Sequence, residues 1–504
     1  MAKTPKNQDE NGFLRNVAAT GKALTSGIAI TGSTQAFKII ISFVQIIVLA
    51  RLLSPTDFGL VAMVAPVLAF AGMLRELGLS QATIQKEKIT HKMVSNLFWL
   101  GLALSLFLAI SVALLAPFVA TFFERSELVA LTIAFSTTLL IWGLQSQPSA
   151  LLSRDLKFGQ LALVDIVSLT IGTGVAIVHA LMTHSYWALF WGTFSTAVVS
   201  AGLTWFFSGF VPSRPSRAED MKQLVGFGAS IAGFVLLNFF ARNADNILIA
   251  RAHGADELGI YDRAYKLLLF PLQKIINPLG RVMVPFLSRT LDKPDQYRET
   301  YSSVLTLILF AVQPGILVCV FFSDALFLIL LGERWMDAAP IFKWLGVAGL
   351  VQVASSTMGW LFVSQGRGKD YLIIGVFGSI ISVASFVIGL PYGAVGVAAA
   401  FALGDIFIKA PFVWLMVTRR GPVGFMAMMN AVLPHFIAAC VAAGFVWRAD
   451  GLFDAISYFE LGVLLALSYG IYFAVLILFK PKRDLFSKGL AIGLEKTKRF
   501  RRAS

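Results

Sequence analysis

The stretch Val94–Phe122, VSNLFWLGLALSLFLAISVALLAPFVATF, holds 29 consecutive residues without an ionisable side chain. A helix of about 20 apolar residues spans the hydrocarbon core of a bilayer, and lipid leaves the peptide groups of other conformations unpaired. The stretch therefore predicts a transmembrane helix. Similar apolar runs recur along the chain, and only 14% of its 504 residues are charged, against about 25% in a soluble domain. The predicted fold class is an all-α polytopic membrane protein.

About fourteen apolar runs are long enough to span a membrane. They lie near 27–50, 58–82, 94–122, 128–152, 161–182, 187–210, 223–251, 258–288, 302–323, 338–363, 370–390, 393–417, 425–447 and 457–479. An even number of spans puts both termini on one side. Six alternate loops hold fifteen Lys and Arg residues, whereas the seven opposite loops hold five. Because basic residues mark cytoplasmic loops, both termini are predicted to be cytoplasmic.

The chain also carries an internal repeat. Ala50–Leu60 can be laid over Ala250–Ile260, with Ala, Arg, acidic, apolar, Gly and apolar positions in register. The copies fall after the predicted first and seventh spans, which predicts two six-helix lobes in a parallel pseudo-repeat. The expected order is a tail (1–24), an N-lobe (25–211), a linker (212–222), a C-lobe (223–418), two further helices (419–480) and a basic tail (481–504).

Ser54-Pro55-Thr56-Asp57 has the pattern of a helix start. Ser is a favoured N-cap residue, Pro is favoured at the first helical position, and an acid follows at the third. We therefore expect the second span to begin here.

Many ionisable side chains lie inside the predicted spans, although each costs about 2.5–3.5 kcal/mol at the centre of a helix. The nine cations are Lys38, Arg75, Arg242, Arg263, Lys266, Lys274, Arg281, Lys343 and Lys409, and the acids counted against them are Glu76, Asp245 and Asp405. Such a surplus predicts a cationic, water-filled path that attracts an anion, with phosphate a natural candidate. The candidate substrate-binding residues are Lys38, Arg242, Arg263, Lys266, Lys274 and Arg281. The alternative, open above all for Arg75, Arg263, Arg281 and Lys343, is that the outermost cations extend to the interface.

Two intramembrane carboxylates, Asp245 and Asp405, are candidates for coupling to H⁺ or Na⁺. A partly desolvated carboxylate among cations can bind and release a cation as its surroundings change. Structural pairing, of Asp245 with Arg242 and of Asp405 with Lys409, is the competing interpretation.

Other classes of site find no support in the sequence. The five histidines are scattered without metal-ligand spacing, and no nucleophile with a base can be assembled, so we expect neither a metal, nor a cofactor, nor an enzyme. The net charge of +14 sits largely in loops and in the C-terminal tail, which favours contact with anionic membrane lipids and does not indicate a nucleic-acid partner.

Four segments resemble the Wzx-type polysaccharide exporters of the multidrug/oligosaccharidyl-lipid/polysaccharide exporter superfamily. They are LGLSQATIQ (77–85), NADNILIAR (243–251), LGIYDRAY (258–265) and RVMVP (281–285). The resemblance covers nearly the whole chain and is most specific over 243–288. It implies a flippase in the bacterial inner membrane that moves undecaprenyl-pyrophosphate-linked oligosaccharide repeat units, of exopolysaccharide, O-antigen or capsule type, to the periplasmic leaflet by alternating access. Coupling to an ion gradient, and partnership with a polymerase and a chain-length regulator, are further options that it raises.

Two alternatives stay open at this point. A murein-precursor flippase would share the architecture and the pyrophosphate headgroup. A membrane polysaccharide polymerase or ligase would be an enzyme, and we would expect it to carry a long outer loop with acidic or His/Arg chemistry. The longest predicted outer loop, near Ser323–Ala339, is short and largely apolar.

Overall fold

The computed structural model describes residues 21–76, 79–86, 89–215, 221–450 and 458–487, and the regular elements within these ranges are helical. The helices are α1 (Gly21–Leu52), α2 (Pro55–Glu76), α3 (Leu79–Gln85), α4 (His91–Phe123), α5 (Glu127–Arg154), α6 (Phe158–Thr183), α7 (Trp187–Ser208), α8 (Met221–Arg289), α9 (Pro294–Phe321), α10 (Ser323–Leu330), α11 (Ala338–Ser364), α12 (Gly368–Gly389), α13 (Gly393–Gly404), α14 (Ala410–Thr418), α15 (Phe425–Asp450) and α16 (Tyr458–Ile477). Between α13 and α14, Asp405–Lys409 forms a π-helical turn.

Within the described ranges, eleven helical stretches are long and apolar enough to cross a membrane. One of them, 368–418, has 51 residues, and α8, outside the eleven, has 69. Each exceeds twice the length of about 20 residues that one crossing needs. The predicted all-α polytopic membrane fold is confirmed, and the number fourteen stays a prediction.

The helices present one face to protein and another to lipid. On α4, Ala116 and Val119 are buried, whereas Leu114 and Phe118 are exposed. Large apolar side chains exposed in this way are expected where the solvent is hydrocarbon. Gly101, Ser105 and Ala109 are among the buried residues of α4, and small residues of this kind allow helices to approach closely.

A break divides α8 into two helices. At Gly254 the backbone has φ of 85° and ψ of −170°, a region that residues with a β-carbon avoid. The break falls between the predicted spans 223–251 and 258–288, so the turn expected there is reduced to a kink at one glycine.

The chain divides into two compact units, residues 1–259 and 260–504. The expected lobe boundary, the linker 212–222, stays a prediction. Residues 211–215 are non-helical there and α8 starts at Met221, while 216–220 lie outside the described residues.

Within the first unit, the predicted helix start at Ser54 is confirmed. Both the backbone nitrogen and the hydroxyl of Ser54 donate to Asp57 Oδ2, over 2.9 and 2.6 Å, and α2 begins at Pro55. The other oxygen of Asp57 accepts a 3.0 Å hydrogen bond from the backbone nitrogen of Tyr186, just before α7. This carboxylate therefore caps α2 and ties its start to the start of α7.

A proline inside α5 makes possible a hydrogen bond between α5 and α7. Pro148 has no N–H, so the carbonyl of Leu144, four residues earlier, loses its helical partner. Trp205 of α7 donates its indole N–H to that carbonyl over 2.9 Å. The free acceptor thus becomes an interhelical contact.

In the second unit, α9 packs against α15 and α16. The hydroxyl of Tyr472 donates to Gln313 and lies 2.9 Å from His435 Nδ1, which joins the three helices through buried polar groups. Residues 480–487, the start of the predicted basic tail, are helical. Lys482 within them is buried, and its Nζ donates to the hydroxyl of Thr306 and to the carbonyl of Ala431.

Candidate functional site

The first predicted cation, Lys38 on α1, forms an ion pair. Its Nζ lies 2.7 Å from Oδ2 of Asp165 on α6, and both side chains are partly exposed. The two residues are 127 positions apart, so no helical spacing in the sequence could reveal them as partners. The charge of Lys38 is therefore balanced by a carboxylate on a neighbouring helix.

Two predicted cations, Arg263 and Lys266, lie beside Asp262 in the part of α8 that follows the break at Gly254. Arg263 Nη2 lies 2.9 Å from Oδ2, and Lys266 Nζ lies 2.8 Å from Oδ1. The Asp262 side chain is only 6% exposed, whereas that of Lys266 is 52% exposed. One buried carboxylate is thus shared by two cations, and the cluster carries a net charge of +1.

The sequence count of acids was therefore incomplete. Asp165, Asp262 and Asp324 were left out of it, and each pairs with a counted cation, the last with Lys343 at 2.6 Å. The surplus of six cations counted from the sequence is therefore an overestimate, because local ion pairs neutralise more of these cations than the count allowed.

The carboxylate of Asp405 pairs with Lys409, which confirms the expected partner. Lys409 Nζ lies 2.7 Å from Oδ1, the Asp405 side chain is 3% exposed, and that of Lys409 is 31% exposed. The pair closes a π-helical turn, a rare feature that is often found at functional sites. In the i,i+5 pattern of this turn, the helix carries one more residue than a regular α-helix would in the same length.

Of the remaining predicted residues, Asp245 and Arg281 have side chains that the structure describes. Asp245 is buried, and its Oδ1 accepts a 2.9 Å hydrogen bond from the backbone nitrogen of Asn246. Arg281 is exposed. The side chains of Arg242 and Lys274 lie outside the described residues, so their predicted role is not tested.

The Asp262 cluster has the composition of an anion site. A phosphate prefers guanidinium and ammonium donors, and a desolvated site strengthens the attraction. Lys266 is the accessible member of the cluster, because half of its side chain is exposed. Arg263, with a side chain only 12% exposed, is held in place by the same carboxylate.

Comparison with sequence profiles of known protein families identifies the family of this chain. The profile described as "Polysaccharide biosynthesis protein" matches residues 48–340, more than half of the chain. The chain belongs to the polysaccharide biosynthesis protein family.

Curated relatives agree with this assignment. The chain is 28% identical over 348 residues to the teichuronic acid biosynthesis protein TuaB of Bacillus subtilis, a match that covers 69% of this chain and 72% of the relative. It is 23% identical over 380 residues to the lipopolysaccharide biosynthesis protein WzxC of Escherichia coli, covering 73% and 75%. The resemblance to Wzx-type exporters is thereby confirmed.

Among solved structures, the lipid II flippase MurJ in an inward closed conformation superposes with a TM-score of 0.72. The match covers 91% of this chain and all of that one, at 14% sequence identity. The chain therefore has the MurJ fold, and at this identity the likeness concerns the fold alone.

Proposed function

We propose that this chain is a flippase that moves undecaprenyl-pyrophosphate-linked oligosaccharide repeat units across the bacterial inner membrane, from the cytoplasmic to the periplasmic leaflet. It acts by alternating access, and both of its termini lie in the cytoplasm. The repeat units are of exopolysaccharide, O-antigen or capsule type. The family membership supports the polysaccharide pathway, and the fold supports a flippase.

The observation that carries the proposal is the charge at Asp262. A structural ion pair needs one cation for each carboxylate, but here Arg263 and Lys266 share one. The half-exposed ammonium of Lys266, which lies beside a second cation, attracts an anion to the site. A pyrophosphate supplies that anion, while its lipid chain remains in the bilayer.

The geometry assigns different tasks to the two cations. Arg263 holds Asp262 in its buried position, which preserves the cluster when cargo is absent. Lys266, with its exposed ammonium, exchanges the carboxylate for a phosphate oxygen when cargo arrives. Arg242, Lys274, Lys38 and Arg281 are proposed as further contacts along the path.

Coupling to an H⁺ or Na⁺ gradient is proposed at Asp405, with Asp245 as a second candidate. Protonation of Asp405, or binding of Na⁺ to it, would release Lys409 from the 2.7 Å ion pair. The ammonium freed in this way changes the charge of a π-helical turn, a kind of element that is often found at functional sites. The paired and the unpaired lysine are two states whose balance an ion can shift.

Membrane lipids surround the protein, and a polymerase and a chain-length regulator of the same pathway are proposed partners. The proposal includes no enzymatic step and no resident cofactor. The cargo contacts are ionic and hydrogen-bonding groups, and no bond of the cargo changes.

The decisive experiment deletes the gene and labels lipid-linked sugars in intact and in permeabilised cells. We expect surface polysaccharide to disappear and full-length repeat units to accumulate where only permeabilisation exposes them. Complementation with Lys266→Met should then lower translocation, whereas Leu114→Ala, on a lipid-exposed face of α4, should complement fully.

Two other outcomes would replace the proposal. Repeat units that reach the periplasm but remain unpolymerised would identify a polymerase, a ligase or its partner. Accumulation of murein precursors with cell lysis would identify a murein-precursor flippase, whose cargo shares the pyrophosphate.

A further inference from the structure

A polar cavity of about 410 Å³ lies in the first unit, and none of its lining residues belongs to the Asp262 cluster. It is bounded by α2, α3, α5 and α7. Its volume falls within the range of about 300–1,000 Å³ that is typical of small-molecule sites. The sequence singles out Arg75, Glu76 and the segment 77–85, but the uncharged residues of α5 and α7 that complete the wall carry no comparable signal.

One face of α5 supplies most of the wall. Trp142, Gln145, Ser146, Ser149 and Ser153 follow the helical spacing i, i+3, i+4, i+7 and i+11. A run of hydroxyl and amide side chains on one helical face is costly inside a membrane unless the groups find partners. The face therefore points to a polar occupant, either ordered water or part of a cargo.

The bonds that these side chains already make leave hydrogen-bonding capacity unused. Ser80 and Ser146 share one hydrogen bond of 2.9 Å, and Gln145 donates to the hydroxyl of Ser200 over 2.7 Å. A hydroxyl can donate one bond and accept two, so each of these serines retains capacity. Ser149 makes no side-chain hydrogen bond to any residue that the structure describes.

A charged pair and an aromatic ring complete the wall. Arg75 Nη2 lies 2.9 Å from Glu76 Oε2, and Arg75 Cζ lies 5.8 Å from the centroid of the Trp142 ring. The Arg75 side chain is 15% exposed, and its buried Nε has no hydrogen-bond partner among the described residues. Because Glu76 balances the guanidinium, the cavity as a whole carries no net charge.

We infer that this cavity binds a sugar ring of the lipid-linked cargo, an inference that depends on the proposed function. A pyranose presents hydroxyl groups that both donate and accept, together with an apolar C–H face. The serine and glutamine side chains match the hydroxyl groups, and the Trp142 ring offers a surface for the apolar face. A cavity without net charge is a poor site for a pyrophosphate, so different residues recognise the phosphate and the sugar.

The inference is tested by chemical protection of a cysteine in the cavity. Cys319 and Cys440 are replaced by alanine, Ser149→Cys is introduced into the full-length protein, and maleimide labelling is followed in detergent. The matched control is Val198→Cys, on an exposed face of α7 that does not line the cavity. Two probes are compared: undecaprenyl-pyrophosphate-linked repeat units extracted from the deletion strain, and undecaprenyl pyrophosphate without sugar.

We expect the sugar-bearing lipid to slow labelling of Ser149→Cys about tenfold at a concentration about ten times its Kd. Neither lipid should slow the labelling of Val198→Cys, and the sugar-free lipid should leave Ser149→Cys reactive. Equal protection by both lipids, or no protection while the sugar-bearing lipid binds the protein, would overturn the sugar site. Those results leave the flippase proposal standing, because that proposal is decided by the deletion strain: it fails if the strain still moves repeat units to the periplasm or accumulates murein precursors instead.

A variant of the aromatic wall gives an independent readout. Trp142→Ala should lower translocation in cells and weaken binding of the sugar-bearing lipid, whereas Trp142→Phe, which keeps an aromatic face, should retain most of both. Trp191→Ala removes an exposed indole from α7 and serves as the control. If Trp142→Ala lowers only the melting temperature and binds the lipid normally, the ring has a structural role and the inference is wrong.

Discussion

Thr56 and Asp256, which occupy equivalent positions in the two copies of the sequence repeat, are hydrogen-bonded to each other: the hydroxyl of Thr56 donates to Asp256 Oδ1 over 2.9 Å. Gly59 and Gly259, three residues further on in each copy, lie where α2 and α8 approach each other closely. A β-carbon on Gly59 would overlap the carbonyl oxygen of Ala255, and one on Gly259 would overlap the carbonyl oxygen of Pro55. The repeat therefore preserves a self-complementary contact as well as a helix start.

The first prediction concerns the two glycines at this crossing. Gly59→Ala and Gly259→Ala should each destabilise the protein by about 1–3 kcal/mol, because a new methyl group would force two backbones apart. The measurement is the melting temperature of the purified protein in detergent.

Gly72 on the same helix is the matched control, since a β-carbon there meets nothing within 4 Å. Gly72→Ala should be neutral or should stabilise the helix by about 0.5–1 kcal/mol. If Gly59→Ala and Gly72→Ala change the melting temperature alike, the close crossing does not exist in solution.

The second prediction concerns the shared carboxylate of Asp262. Asp262→Asn leaves Arg263 and Lys266 without their anion, and losing one partner of a buried ion pair costs about 3–5 kcal/mol. Lys266→Met should cost less than about 1 kcal/mol, because that ammonium is half exposed. The melting temperature of Asp262→Asn should therefore be lower than that of Lys266→Met.

The double variant Asp262→Asn/Lys266→Met separates stability from transport. Removing Lys266 relieves part of the repulsion, so the double variant should melt above Asp262→Asn alone. Translocation should nevertheless remain low, because the cation that meets the phosphate is absent. A double variant that translocates normally would show that Lys266 is only a structural partner of Asp262.

How much of this could be predicted from the sequence depends on the distance between partners. The apolar run 94–122 and the helix start at Ser54 are local signals, and both are present in the structure as predicted. The pair Lys38–Asp165 joins residues 127 positions apart and depends on how α1 packs against α6. Hydropathy contains no information on which faces of two helices meet, so this pair was missed.

Asp262 was missed for a different reason. Asp262 and Lys266 have the i, i+4 spacing that favours an ion pair on a helix, so the signal was present in the sequence. Counting cations without checking each one for a neighbouring acid overestimated the surplus. The polar cavity beside Trp142 was missed because serines and glutamines on one helical face do not stand out in a search for charge.

The third prediction tests whether the Asp405–Lys409 pair couples transport to an ion gradient. Asp405→Asn removes the carboxylate that a proton or Na⁺ would occupy and leaves Lys409 without its 2.7 Å partner. Translocation into inverted vesicles should lose its dependence on an imposed H⁺ or Na⁺ gradient.

The double variant Asp405→Asn/Lys409→Met keeps the site neutral and is the control for stability. It should recover the melting temperature lost in Asp405→Asn, without recovering dependence on the gradient. If gradient-dependent translocation returns with stability, the pair is structural and coupling resides elsewhere, with Asp245 the next residue to test.

The fourth prediction concerns Lys482, which follows the last helix and anchors residues 480–487. Burial lowers the pKa of Lys482 from 10.5 to about 8 in the folded protein. Below about pH 8 the lysine is charged in both states, and the full cost of burying its charge is present. Between about pH 8 and 10.5 the folded chain has lost this proton while the unfolded chain retains it, so stability rises with pH in that window.

The measurement compares melting temperatures of the wild type and of Lys482→Met between pH 7 and 10. Many groups titrate over this range, but the variant lacks only the contribution of Lys482. The melting temperature of the wild type should therefore rise relative to that of the variant as the pH increases above 8. Lys480→Met, which removes an exposed lysine two residues away, should follow the wild type at every pH. A constant difference between wild type and Lys482→Met would mean that the ammonium reaches water and that the anchor is only a hydrogen-bonded contact to Thr306 and Ala431.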